Sequence, residues 1–458
     1  MIGFDLALLL CVFTALLFGY SVGLTLGGVS ILFALAAIAL GAFDSALLLA
    51  LPARLFGIMT SGVLLAIPPF VLMGVLLERS GVAQAMFSWL AHRLSGSPRG
   101  MLMSVTLAGA LLAASTGIAG ASVVALGLIA LPPLLKTGVS ATLATGSVAA
   151  AGTLGQIIPP SIVLIVLGDQ MSVAYQKMQS DAGRFASETV TVQDLFAGAL
   201  LPGLALVVLY LCYQFFASRG DPAEADASRK DGQFGSGIAG WMALGIPVAL
   251  ILCVLGSILT GIATPTEAAC VGVLVAALFG LGRMSVKDYA DALGDSVRLV
   301  SMIFLIVIGA SVFSLVFRGL GGDDTLEQWL TSLPGGTYGA IAVTLALIFL
   351  LGFFLEFLEI TYAVVPLVAP VLLALPVAGG EMDPVWLGVL FALVLHTSFL
   401  TPPLGVSLFY IRSVAPQHVA TGQIYRGAVP YVALQICVVC LVLIAPFLAT
   451  QLPDLLTR

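Results

Sequence analysis

The chain has 458 residues, 60% hydrophobic and 9% charged, with a mean hydropathy of +1.15. Soluble domains carry roughly 25% charged residues, so this composition excludes a soluble globular protein and points to an integral membrane protein. The net charge of −6 offers no basic footprint for nucleic acid.

Apolar runs of about 20 residues recur along the chain, the length a helix needs to cross ~30 Å of hydrocarbon. Their strength predicts helices rather than barrel strands. Phe4–Leu26 and Gly27–Leu51 read as the first two spans, and Met1–Leu26 lacks the basic start of a cleaved signal peptide. Gly19, Gly23 and Gly27, spaced by four, predict one small-residue helix face for a neighbouring span or a partner subunit. Gly57–Leu77 follows, with Pro68-Pro69 inside it, then the polar connection Glu78–Gly100 with Arg79, Arg93 and Arg99. The short apolar runs Met101–Ala114 and Ser122–Leu135 flank Ser115–Ala121 and predict a re-entrant hairpin with a buried tip. Thr142–Gly168 is apolar yet interrupted by Gly152, Gly155 and Pro159-Pro160. A proline inside a helix removes a donor and clashes one turn back. In lipid the freed backbone groups need partners within the protein or a water-filled cavity. Asp169–Asp194 reads as a polar insertion, Leu195–Phe216 as a span, and Arg219–Gly237 as a solvated linker.

The second half has spans at Trp241–Ile258, Pro265–Leu281 and Leu299–Phe317, then an acidic loop, Gly319–Gln328. Tyr338–Leu355 and Thr361–Leu375 flank Glu356–Ile360 and predict a second hairpin. The acidic loop Gly379–Asp383 precedes Val385–Ile411, interrupted by Pro402-Pro403; the basic connection Arg412–Arg426 and a last span, Val429–Leu448, complete the chain. All six cysteines lie in apolar runs. The C-x-x-C at Cys437 and Cys440 has no His or carboxylate nearby, so small lipid- or core-facing residues are the expectation.

Cytoplasmic loops are rich in Lys and Arg. That rule puts Arg79–Arg99 and Arg412–Arg426 inside. It puts Asp169–Asp194, Asp323–Glu327 and Glu381–Asp383 outside, with both termini. The first hairpin then opens to the cytoplasm and the second to the exterior, each followed by a Pro-Pro break. Pro159 and Pro402 are 243 positions apart, as are Thr116 and Glu359. Two such units of opposite orientation predict an inverted-topology repeat, the plan of secondary transporters with a site near the midplane. The fold class expected is therefore an all-α polytopic membrane protein with two re-entrant helical hairpins and two broken helices.

Unwound carbonyls bind Na⁺, half-helix N-termini favour an anionic group, and hydroxyls add neutral oxygen ligands. The Na⁺ candidates are Ser115, Thr116, Gly117, Ser161 and the carbonyls from Gly155 to Ile158 in the first half. In the second they are Thr397, Ser398, Thr401 and Gly405. Ser161, with Pro159, Pro160, Pro402 and Pro403, forms the expected substrate wall. Any one of these small residues could instead serve helix packing. Glu356 and Glu359 are the carboxylates of the second hairpin; they could bind a cation, carry a proton, form a salt bridge or be solvated in a vestibule. His396 is either a packing residue or a proton relay. Glu267, after Pro265, complements a helix N-terminus.

At Ile158-Pro159-Pro160-Ser161-Ile162, Thr264–Ala269 (TPTEAA) and Thr401-Pro402-Pro403-Leu404-Gly405, and in the spacing of Glu356, Pro366 and Pro370, the chain resembles the large membrane subunit of tripartite ATP-independent periplasmic (TRAP) transporters. The resemblance runs over almost the whole chain. It implies an elevator-type transporter of the bacterial inner membrane in which hairpins and broken helices move against a scaffold. It also implies Na⁺ coupling without an organic cofactor, an organic-acid substrate, a small four-span membrane subunit and a periplasmic substrate-binding protein. The implied division is 1–78 scaffold, 79–168 transport domain, 169–317 insertion, linker and scaffold, 318–411 transport domain, and 412–458 scaffold. The chain has Glu356 where the family often has Asp, and it lacks the family's Ser-Gly-Ser run at the first tip. FFLEFLEI, HTSFLTPP and the Asp169–Asp194 insertion resemble the branch linked to 2-oxo monocarboxylates, mannitol or chloroaromatic acids. Alternatives are a stand-alone Na⁺/divalent-anion symporter and a membrane-embedded enzyme. No H-E-x-x-H, G-x-S-x-G or His/Cys cluster supports the enzyme.

Overall fold

A computed structural model describes residues 3–94, 97–116, 119–184, 189–218, 238–377, 380–402 and 405–456. The expected linker at 219–237 lies outside them. In chain order the first repeat contains α1 (Phe4–Leu17), α2 (Val22–Ala39), α3 (Leu51–Thr60), α4 (Ile67–Arg79), α5 (Val82–Leu94), α6 (Pro98–Thr116), α7 (Ala119–Lys136), α8 (Ala141–Thr153), α9 (Ile162–Asp181) and α10 (Val192–Ala217). The second contains α11 (Ile238–Leu259), α12 (Pro265–Gly280), α13 (Val286–Gly319), α14 (Gly322–Thr331), α15 (Gly336–Leu351), α16 (Phe357–Ala363), α17 (Val365–Ala374), α18 (Pro384–Ser398), α19 (Val406–Val414), α20 (Thr421–Ile444) and α21 (Phe447–Leu456). Among the described residues, five single helices are long and apolar enough to cross a membrane, or up to eight spans if each of three bent pairs counts as one.

The helix starts carry their own signals. Thr191, Thr264 and Ser285 each accept from the backbone N–H three residues on, while Asp194, Glu267 and Asp288 reach back to the cap. These reciprocal caps satisfy donors that a helix leaves open, and Glu267 has the terminal role expected of it. Pro265 and Pro384 occupy first-turn positions, where the missing N–H costs nothing.

The repeat is built into the element starts. α2 and α12 begin at Val22 and Pro265, and α8 and α18 at Ala141 and Pro384; both pairs are 243 residues apart. Packing follows the same mapping. α2 lies on α13 and its image α12 on α4; α9 lies on α17 and its image α19 on α7. Each repeat therefore completes the other. The α2–α13 contact explains the small-residue face: a Cβ on Gly309 would sit 2.0 Å from the carbonyl oxygen of Gly23, and one on Gly27 would touch Gly309. That face is used within the chain. Gly19 is not part of it, because it takes φ +78° in the turn between α1 and α2.

Four expectations are corrected. The first two spans divide at residues 18–21 rather than between Leu26 and Gly27, so α1 is 14 residues long. Gly319–Gln328 is no loop: α14 forms there, amphipathic, with Leu330 buried, and turns by 118° into α15. The start of the Asp169–Asp194 insertion is the continuation of α9 to Asp181. Leu299–Phe317 is the end of a 34-residue helix that begins at Val286. Polar residues misled in each of the last three because a helix leaving the bilayer needs no apolar surface outside it.

The interior is centred on α8 and α18, whose side chains are buried along nearly their whole length. Ser147 on α8 hydrogen-bonds Tyr431 of α20 at 2.6 Å; the Gln214 amide of α10 donates to Tyr431 (3.2 Å) and to Thr106 of α6 (2.6 Å). One buried polar network thus joins four helices.

Candidate functional site

The first break follows from the two prolines. α8 stops at Thr153, a 3-10 turn covers Leu154–Gln156, and residues 157–161 are not helical; the Pro159-Pro160 bond is cis. Neither proline can donate to a helix, so the chain restarts at Ile162 with Ser161 as cap. The Ser161 hydroxyl accepts from the Leu164 N–H at 3.5 Å and donates to the Gln156 carbonyl at 2.7 Å. Residues 153–161, Gly155 and Ile158 among them, are buried, and Gln156 is 2% exposed. Its side chain is a further polar group at this break, beyond the carbonyl expected there. The available signal was a lone amide in an apolar run.

In the second break α18 ends at Ser398 and α19 begins after Gly405. Thr397, Ser398 and Thr401 are buried, and each donates its hydroxyl proton to a carbonyl one turn back, on Val394, Leu395 and Thr397, all at 2.6 Å. A hydroxyl that has spent its proton presents only lone pairs, the form in which it can ligate a cation. Gly405 donates to the Thr401 carbonyl at 2.9 Å. Pro402 is half-buried.

The structure brings both breaks to one locus. His396 Nε2 lies 3.1 Å from the Thr153 carbonyl, and these residues are 243 positions apart, images of each other in the two repeats. His396 thus ties α18 to the end of α8 through Nε2, while its Nδ1 is buried without a hydrogen-bond partner. The hairpins close on the same place. A Cβ on Gly109 of α6 would meet the Ala151 carbonyl at 2.6 Å, and one on Gly352 would meet Ser398 Cβ at 2.5 Å; these two glycines are again 243 apart. Phe357 packs on Phe399 with ring centroids 5.6 Å apart. Ser115 and Thr116 close α6, but their side chains, like Gly117 and Pro403 entirely, lie outside the described residues.

The carboxylates have other surroundings. Glu359 is buried, accepts the Glu356 N–H at 3.1 Å at the start of α16, and lines a cavity of about 250 Å³ otherwise walled by apolar side chains of α1, α2, α13, α15 and α17. Glu356 is exposed. No group of three or more His, Cys, Asp or Glu that could hold a metal exists among the described residues. The six cysteines are free and exposed.

Arg184, Lys177, Asp323 and Glu381, from segments that the loop charges put outside, converge on one polar groove of about 660 Å³. Lys177 pairs with Asp323 and Arg184 with Glu381.

The chain is similar to the C4-dicarboxylate TRAP transporter large permease protein DctM of Pseudomonas aeruginosa, with 27% identity over 84% of each chain. It is similar to the same extent, 27%, to the sialic acid TRAP transporter large permease protein SiaM of Vibrio cholerae, over 84% of this chain and 85% of that one. Among solved structures, the Alcanivorax borkumensis YdaH transporter shares the fold, with a TM-score of 0.60 and 15% identity over 87% of this chain and 88% of that one. Neisseria gonorrhoeae MtrF does so with 0.59 and 12%, over 87% and 83%. The family profile described as "Tripartite ATP-independent periplasmic transporter, DctM component" matches residues 9–448. The chain belongs to this family, the large multi-pass permeases of TRAP transporters in the bacterial inner membrane.

Proposed function

We propose that this chain is the large permease subunit of a Na⁺-coupled importer of an organic acid, working by an elevator motion. The observation that carries the reading is the convergence of two broken helices, with their proton-spent hydroxyls and unwound carbonyls, at the Thr153–His396 contact. Na⁺ takes neutral oxygens from Ser115, Thr116, Gly117, Gly155 and Ile158 in one repeat and from Thr397, Ser398, Thr401 and Gly405 in the other. The N-terminus of α9, capped by Ser161, faces the substrate's negative charge. Glu356 and Glu359 adjust the field at the second hairpin. Hairpins and broken helices (79–168 and 318–411) form the moving body, and the α2–α13 and α4–α12 pairs anchor the scaffold. The acid arrives on a periplasmic binding protein, and a small four-span subunit supports the scaffold. The relatives' names supply C4-dicarboxylates and sialic acid as their substrates; both carry carboxylates, which supports the class. The test is reconstitution with both partners: a Na⁺ gradient should drive uptake of an organic acid, and uptake indifferent to Na⁺ would refute the coupling.

A further inference from the structure

Between α3, α9, α13 and α16 lies a cavity of about 410 Å³, lined by Arg54, Ser61, Asp169, Ser314, Arg318 and Tyr362 among others. It is separate from the broken-helix locus along the chain. Asp169 is eight residues beyond Ser161 on α9, roughly 12 Å at 1.5 Å per residue. Further along the same helix, Lys177 enters the outer polar groove. The cavity therefore lies between that groove and the break.

Its polar groups are unequally spent. Asp169 accepts from the Gln170 amide at 2.9 Å and from the Ser61 hydroxyl at 3.4 Å. Arg318 donates to the Pro366 carbonyl at 2.9 Å, and its Nε lies 3.7 Å from Asp323, which Lys177 also holds. The Arg318 Nε makes no hydrogen bond, and among the described residues Arg54 and Tyr362 are unpartnered too. Arg54, half-buried, makes no hydrogen bond or ion pair among the described residues. Tyr362 is 3% exposed and its hydroxyl is buried without a partner. A buried donor left unsatisfied is unfavourable, so a built cavity that leaves one open calls for an acceptor from outside. The charges give its valence. The charged residues lining the cavity are Arg54, Arg318 and Asp169, a net charge of +1.

We propose that this cavity is a vestibule binding the carboxylate of a monoanionic organic acid, with the Arg54 guanidinium and the Tyr362 hydroxyl as its donors. Arginine presents paired N–H groups that match the two oxygens of a carboxylate. The volume lies within the range of small-molecule sites. A second carboxylate on the ligand would meet Asp169 with no further free cation, so the vestibule favours mono- over dicarboxylates. The assignment rests on the reading of the chain as an organic-acid permease and adds the site at which the acid pauses before the break.

The test is a titration of the purified permease, in complex with its small subunit, with pyruvate and separately with succinate in NaCl, reading the unfolding midpoint. A ligand that binds only the folded state raises that midpoint with concentration. Pyruvate should stabilise the wild type at lower concentration than succinate does. R54Q should raise the apparent dissociation constant for pyruvate about tenfold or more, and Arg54→Lys should recover part of it. Tyr362→Phe, which keeps the ring in place, should raise it about fivefold; this variant carries the test if R54Q does not fold. Equal constants in wild type and Tyr362→Phe would overturn the vestibule, as would stabilisation by neither acid. Na⁺-driven uptake by the same wild-type complex, reconstituted in proteoliposomes with the binding protein, would then show whether the transport reading survives alone.

Discussion

Gly352 is where a single methyl group tests the link between hairpin packing and ion binding. A Cβ there would stand 2.5 Å from Ser398 Cβ, where ordinary contact is 3.4–4 Å. In Gly352→Ala the hairpin must therefore retreat by roughly 1 Å, since interiors are too closely packed to absorb the methyl. Overpacking of this kind costs about 1–3 kcal/mol. The cost falls on the arrangement in which the hairpin lies against Thr397, Ser398 and Thr401; if Na⁺ binds there as proposed, it opposes ion binding in the same proportion. At about 1.4 kcal/mol per factor of ten, the Na⁺ concentration for half-maximal uptake should rise about 5- to 150-fold. The assay is Na⁺ titration of organic-acid uptake in proteoliposomes holding the permease, its small subunit and the binding protein. Gly256→Ala in α11, where a Cβ meets nothing within 4 Å, is the control and should leave the titration unchanged. A wild-type Na⁺ response from well-folded Gly352→Ala would refute the reasoning.

Thr401→Val keeps shape but removes an oxygen whose proton is already given to the Thr397 carbonyl. Na⁺ dependence should weaken more than the unfolding midpoint falls, and unchanged Na⁺ affinity would remove this hydroxyl from the site. Tyr431→Phe deletes the shared partner of Ser147 and Gln214; thermal unfolding should show a loss of about 1–3 kcal/mol, with half-saturating Na⁺ within about twofold of wild type. Asp323 answers both Lys177 and Arg318, so Asp323→Asn should destabilise more than Lys177→Met. For the latter about 0–1 kcal/mol is expected, shrinking in high salt, and unfolding midpoints at two salt concentrations check both.

The repeat was legible because it is written in residues that cannot be exchanged cheaply. Pro159-Pro160 and Pro402-Pro403 break helices wherever they occur, and their 243-residue spacing reappears in the starts of α2, α8, α12 and α18. The hydroxyls at 397, 398 and 401 were legible for a similar reason, since polar residues stand out in apolar runs. Hydropathy failed where helices leave the bilayer. α14 and the distal turns of α9 look like loops to a reader searching for apolar runs, although α14 buries Leu330 and caps its own start with left-handed Gly321. Juxtapositions were out of reach. Nothing in the sequence around Arg54, Tyr362 or Asp169 says that α3, α9, α13 and α16 enclose one cavity; that follows from how the repeats interlock.

The bond between His396 and the Thr153 carbonyl joins two residues that are each other's counterparts. Such a pair sits on the local two-fold axis, and a pivot is the one place that exchanging the two halves leaves where it was. Its chemistry is nevertheless lopsided, an imidazole on one side and a threonine on the other. Any substitution there has no duplicate elsewhere to cushion it, because the one contact belongs to both repeats at once.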